Sequence, residues 1–138
     1  MTFTTSTATV SAQHSHPVEV AENLISSGTG NHDKWLAFSQ SSWLEVDFKG
    51  VEHTIGAVGF KSANDAPCRD PETIRIECWE DQAWDLAAEI NPDWAGARWT
   101  EVRHDMEQAC TTSKMRFTVS QDNCRATQLG QILFYALQ

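Results

Sequence analysis

The chain has 138 residues, with 41% hydrophobic and 21% charged positions, so its length suits one domain and its composition a globular fold. It carries 10 Lys and Arg against 19 Asp and Glu, a formal charge of −9. That balance argues against nucleic acid and anionic membrane as partners, and no apolar run approaches the roughly 18 residues of a membrane-inserting span.

In chain order, residues 1–18 contain no charged side chain, and seven of the first eleven are Ser or Thr. A secretory signal needs a positive start and an apolar core of about 7–15 residues, and neither is found here. No Asn-X-Ser/Thr site occurs, which together with the missing signal leads us to expect a cytoplasmic protein. Residues 1–17 read as a flexible arm ending in a strand near 7–12, and residues 18–138 as the single domain. A helical turn is expected over 18–25. Leu44, Val46 and Phe48 alternate with acids, as do Ile74, Ile76 and Cys78 with Arg75 and Glu77, and Met115, Phe117 and Val119 with Arg116 and Thr118. Period two with polar partners means strands with one buried face. Further strands are expected at 54–62, 84–90, 98–104 and 129–137. Residues 82–88 also suit a helical turn, but the strand is preferred. Segment 129–137 is apolar on both faces and is placed in the middle of a sheet. Lys49-Gly50, Ala66-Pro67, Asp70-Pro71, Asn91-Pro92 and Ala95-Gly96 supply the turns. Seven or eight strands at this spacing predict an all-β antiparallel β-sandwich or jelly-roll barrel.

The four cysteines, Cys68, Cys78, Cys110 and Cys124, form no Cys-x-x-Cys pair. Two disulfides in any of three pairings are open to them, but without a signal the reading favours reduced thiols. Of six tryptophans, about four are expected in the core, leaving one or two to stack on a flat ligand.

One loop differs from the rest. Residues 62–71 read Ser-Ala-Asn-Asp-Ala-Pro-Cys-Arg-Asp-Pro. The prolines stiffen it, Arg69 offers a planar fork, Asn64 both donates and accepts, and Asp65 and Asp70 accept. Neutral polyols need that mixture. The same residues can instead serve their own turn, with Arg69 bridging Asp65 or Asp70.

This loop resembles the SANDAPxRDP signature found in a branch of the discoidin, or coagulation factor V/VIII type C, domains of the galactose-binding-like superfamily. Residues 23–25 (Asn-Leu-Ile), 34–38 (Lys-Trp-Leu-Ala-Phe), 43–48 (Trp-Leu-Glu-Val-Asp-Phe), Trp84 and 128–132 (Gln-Leu-Gly-Gln-Ile) follow that family's order. The resemblance covers about residues 20–137. The hairpin glycine of the family is missing, so Asp81 is expected in the left-handed conformation. Many relatives hold a structural calcium between the early loop and a Glu on the last strand. Here Gln131 stands in that place, leaving Asn23, Asp33 and backbone carbonyls for a weak calcium site.

The resemblance implies a binding module rather than an enzyme, with ligands held by loops at one barrel end. The expected site joins His32 and Asp33 of the early loop to Asn64, Asp65, Arg69 and Asp70. A glycan partner, specifically a neutral and galactose-type sugar, suits these groups, and the fold also allows a homo-oligomer through a sheet face. The alternative is an intracellular protein-interaction module whose acidic surface meets a basic partner. No hydrolase, zinc-protease, phosphate-loop or dinucleotide motif occurs, and His14-Ser15-His16 reads as part of the arm.

Overall fold

A computed structural model describes residues 7–137. Among them are ten strands: β1 (Thr9–Ala12), β2 (Trp35–Ala37), β3 (Ser41–Asp47), β4 (His53–Lys61), β5 (Thr73–Glu80), β6 (Ala83–Ile90), β7 (Glu101–Thr112), β8 (Lys114–Ser120), β9 (Thr127–Leu129) and β10 (Gln131–Ala136). Two 3-10 turns, Ala21–Ile25 and Pro67–Arg69, are the helical elements. The strands form a five-stranded sheet in the order β1-β3-β8-β5-β6, a three-stranded sheet β10-β4-β7 and a ribbon β2-β9, with every pairing antiparallel.

The core follows from the alternation. Leu44 pairs with Phe117 and Phe117 with Ile76; one step along, Val46 pairs with Met115 and Met115 with Cys78. These rows of fully covered side chains face Ile55, Val58 and Phe60 of β4 and Ile132 and Phe134 of β10. Phe117 meets Phe60 and Phe134 at ring separations of 5.4 and 6.0 Å, so both sheets lock through aromatic edges. The missing hairpin glycine is replaced as expected: Asp81 lies at φ 50, and Gln82 follows it at φ 65.

Several expectations are corrected. Segment 129–137 is not central: β10 is an edge strand. The half-buried Tyr135 of this strand sets its hydroxyl 2.6 Å from Glu101 Oε2, with the Arg103 guanidinium 4.2 Å from its ring. The strand expected at 98–104 starts at Glu101 and runs to Thr112, because residues 98–100 belong to the preceding loop. Strand β2 is short and flanked by non-alternating residues, and the pattern misses it. The first six residues lie outside the described ones. The strand expected near 7–12 is present as β1, paired with β3, and with Ala8 and Val10 buried it fixes this part of the expected arm to the sheet. His16 Nδ1 accepts from the backbone N–H groups of Val18 and Glu19.

The thiols are also corrected. Cys78 on β5 bonds Cys110 on β7, joining the two main sheets, and Cys68 bonds Cys124 across 56 residues of sequence. Disulfide pairing is a property of spatial approach, which spacing along the chain does not encode. Of the tryptophans, only Trp35 and Trp94 are buried; Trp43, Trp79, Trp84 and Trp99 are half-buried.

Candidate functional site

Strands β4, β6 and β8 all end at the same pole, because Lys61 pairs with Glu101, Ile90 with Ile74 and Ser120 with Thr73. Connections 62–72, 91–100 and 121–126 therefore converge there. The opposite pole carries the turns at 48–52 and 81–82.

The proline-stiffened loop is sewn to its neighbours from three sides. Ala66 at φ 45 turns the backbone into the Pro67–Arg69 turn, closed by Arg69 N–H to Ala66 O at 2.9 Å. From the 91–100 connection, Arg98 Nη1 donates to Asp65 O at 2.8 Å and Asp70 Oδ1 at 3.2 Å, while its Nη2 binds Asp70 Oδ2. Trp94 Nε1 donates to Pro71 O and Trp99 N–H to Ala63 O. From the early loop, Lys34 reaches Asp65 Oδ1 and Gln128 Oε1, both at 2.8 Å. Gln128 passes its own amide protons to the carbonyls of Asp65 and Ala66. From the 121–126 connection, the Cys68–Cys124 bond completes the frame, with Cys124 also held through Gln121.

The expected residues divide between frame and opening. Asp70 is buried and doubly bonded to Arg98, so it belongs to the frame. Burial pushes its carboxyl above the usual carboxylate range, against the pull of Arg98. Asp65 keeps 53% of its side chain exposed while Lys34 is almost wholly covered. The hydrogen bond from Lys34 holds the Asp65 carboxyl below its ordinary value, helped by the charge of Arg69. Arg69 itself is half-buried and bridges neither Asp65 nor Asp70 by a hydrogen bond; Lys34 and Arg98 have taken those roles. Asn64 Oδ1 is shielded from solvent and accepts no hydrogen bond. An orphaned acceptor of this kind costs roughly 1–3 kcal/mol and invites a donor.

His32 and Asp33 are not hydrogen-bonded to this loop. The exposed His32 ring pairs with Glu19 Oε1 at 3.0 Å, and Glu19 Oε2 is a second shielded, unpaired acceptor. Asp33 folds back to accept from Gly30 N–H at 2.7 Å. Of the residues expected around a calcium ion, Asn23 donates its amide protons to His32 O and Lys34 O, at 3.0 and 2.8 Å.

Sequence reasoning missed Lys34, Arg98 and Gln128 as site residues, since each acts across long sequence separations. It also did not single out Trp99 from the other tryptophans. Trp99 adopts φ 52, a region costly for a bulky residue, and its ring packs over Gly130, where a Cβ would come within 2.6 Å of it. The Trp99 backbone N–H donates to the carbonyl of Ala63, the residue before Asn64, while its half-buried indole lies against Gly130.

No protein-family model and no curated protein sequence matches the chain. Solved structures do resemble it. The family 32 carbohydrate-binding module of Clostridium perfringens NanJ in complex with galactose is 14% identical, with a TM-score of 0.79 over 94% of this chain and 93% of that one. A Clostridium perfringens module in complex with GalNAc-β-1,3-galactose is 12% identical, with a TM-score of 0.80 over 95% and 96%. The family 32 module of Streptococcus pneumoniae EndoD is 17% identical, with a TM-score of 0.78 over 93% and 94%. The chain therefore shares the antiparallel β-sandwich fold of these modules, over nearly the full length of each.

Proposed function

We propose that this protein is a non-catalytic carbohydrate-binding module that holds a sugar at the loop pole. Asn64, Asp65 and Arg69 orient hydroxyl groups, and Trp99 offers an aromatic surface to a ring face. The observation that carries this reading is Asn64 Oδ1, a shielded acceptor lacking a donor beside an exposed carboxylate held by a buried lysine. A sugar hydroxyl supplies the missing donor and accepts in turn. The galactose and GalNAc-galactose complexes of the similar modules support the same ligand class. The discoidin signature is consistent with it, and we keep that branch as part of the proposal.

A solvent-open site of this size binds single sugars weakly, on the order of millimolar to micromolar. The test is an NMR titration of the intact chain with neutral hexoses and N-acetylhexosamines. Shifts at residues 64–69 and at the Trp99 indole N–H are expected. Unmoved loop resonances at high millimolar sugar would overturn the reading.

The protein-interaction alternative drew part of its support from free thiols, and both cysteine pairs are bonded. Disulfides persist in oxidising compartments, so we propose such a setting in place of the cytoplasm.

A further inference from the structure

The Cys68–Cys124 bond has arginine on each side of it: Arg69 follows Cys68 and Arg125 follows Cys124, with the bonded residues' Cα atoms 5.6 Å apart. In a chain of net charge −9, the disulfide thus holds two guanidinium-bearing residues at one corner of the loop pole. Arg125 is exposed, Arg69 is half-buried, and neither forms a hydrogen bond or ion pair with a described residue. The acids of the loop are engaged elsewhere, Asp65 by Lys34 and Asp70 by Arg98. On the far side of the 121–126 connection, Glu72 Oε1 accepts from Asp122 N–H and Asn123 Nδ2. Asn64, with its unsatisfied acceptor, lies five residues before Arg69 on the same rigid loop.

We propose that Arg69 and Arg125 form an anion-reading edge of the sugar site, so that an acidic glycan is preferred over its neutral counterpart. The group read is an oxyanion on a sugar ring, a carboxylate or a sulfate ester. Planar guanidinium forks match either group, and their hydrogen bonds to it are charge-assisted. The disulfide makes this a preformed arrangement, which lowers the ordering cost of binding. The inference rests on the carbohydrate reading and adds to it a class of ligand.

The experiment titrates galacturonate, glucuronate and mannuronate, each beside its neutral hexose, and galactose 6-sulfate beside galactose. The intact chain is compared with Arg69→Gln, Arg125→Gln and the double variant, by calorimetry and by NMR at residues 64–69 and 125. At least one acidic ligand is expected to bind about tenfold tighter than its neutral partner, the scale of one charge-assisted hydrogen bond. The preference should shrink in each single variant and vanish in the double one, with the melting temperature held throughout and the neutral sugar's affinity held in Arg125→Gln. Whether the uronates or the sulfate ester show the effect identifies the oxyanion. Equal affinities for every pair, or a preference that survives the double variant, overturn the anion-reading edge and leave the carbohydrate reading standing. Absence of binding to every sugar overturns both.

Discussion

The outer face of the five-stranded sheet and the loop pole are built from the same residue types, arranged to opposite ends. On the sheet face the cations lie over aromatic rings. Arg116 lies 4.4 Å from the Trp84 ring centroid and 5.3 Å from that of Trp43, and also pairs with Glu45; Lys114 lies 4.6 Å from Trp79. Trp79 and Trp84 meet edge to face across the hairpin. At the loop pole, two cations are consumed by the frame, Lys34 and Arg98, and two are left outside it, Arg69 and Arg125. Aromatic surface differs likewise: Trp43, Trp79 and Trp84 have ring or cation partners, whereas Trp99 lies over a glycine. On the sheet face each of these cations has a ring partner even though Arg116 Nε is shielded without a hydrogen bond, whereas among the described residues Arg69 and Arg125 lie over no ring.

That contrast can be broken at five points. Asp70→Ala strands Arg98 in a largely covered position. It should cost about 3–5 kcal/mol in chemical denaturation, the scale of a disrupted buried pair; a cost within the range of a surface change would place Asp70 outside the frame. Replacing Cys68 and Cys124 together by Ser should cost about 2–4 kcal/mol in the same measurement, with loosened hydrogen exchange at residues 64–69. Unchanged exchange there would mean that Arg98 and Lys34 hold the loop without the bond.

Arg116→Ala should lower stability by about 1 kcal/mol through lost cation–π contact and leave sugar titrations unaltered. Arg69→Gln, in contrast, should stay within about 0.5 kcal/mol, since it removes only the action of the Arg69 charge on Asp65 and breaks no hydrogen bond or ion pair with a described residue. A reversed ranking would dissolve the distinction between the two faces.

The smallest effect is electrostatic. The Asp65 carboxyl is held below its ordinary value, chiefly by Lys34, so the folded state binds its proton less readily than the unfolded chain. Its stabilisation is complete above the ordinary carboxylate range and is lost as pH falls through the folded value. Asp70, raised by burial, acts with the opposite sign: stability falls as pH rises from the ordinary value through the raised one. Melting curves from neutral to acid pH should therefore show Asp65→Asn less acid-sensitive than the parent chain. A steeper acid loss in the variant would contradict the Lys34 pairing.

Much of this architecture was legible beforehand. The three inner strands of the five-stranded sheet, β3, β5 and β8, followed from alternation at 44–48, 74–78 and 115–119, and the left-handed residue of the hairpin at 81–82 from the tolerance of Asp for that backbone. The loop at 62–71 stood out through its prolines and polar groups; of its expected site residues Asp65 is exposed, and Asn64 and Arg69 are half-buried. The roles within it were less legible. Asp70 and Asp65 both stood among the expected ligand-binding residues, yet one is buried in the frame and the other half in solvent. Residues 98–100 looked like the start of a strand, because Trp99 and Val102 are apolar, and instead carry the arginine that holds the loop.

What the sequence by itself determined was the local part: which segments extend, where the chain turns, and which loop concentrates polar chemistry. Alternation and turn preference act between near neighbours along the chain, so they can be read without coordinates. Only the tertiary structure decided the partners, since Lys34 meets Asp65 across 31 residues, Arg98 meets Asp70 across 28 and Cys68 meets Cys124 across 56. Ion pairs, hydrogen bonds and disulfides are formed by proximity in space. Which cations remain unpaired, and hence which edge of the molecule can receive a ligand, is settled only when the sheets bring those distant loops to one pole.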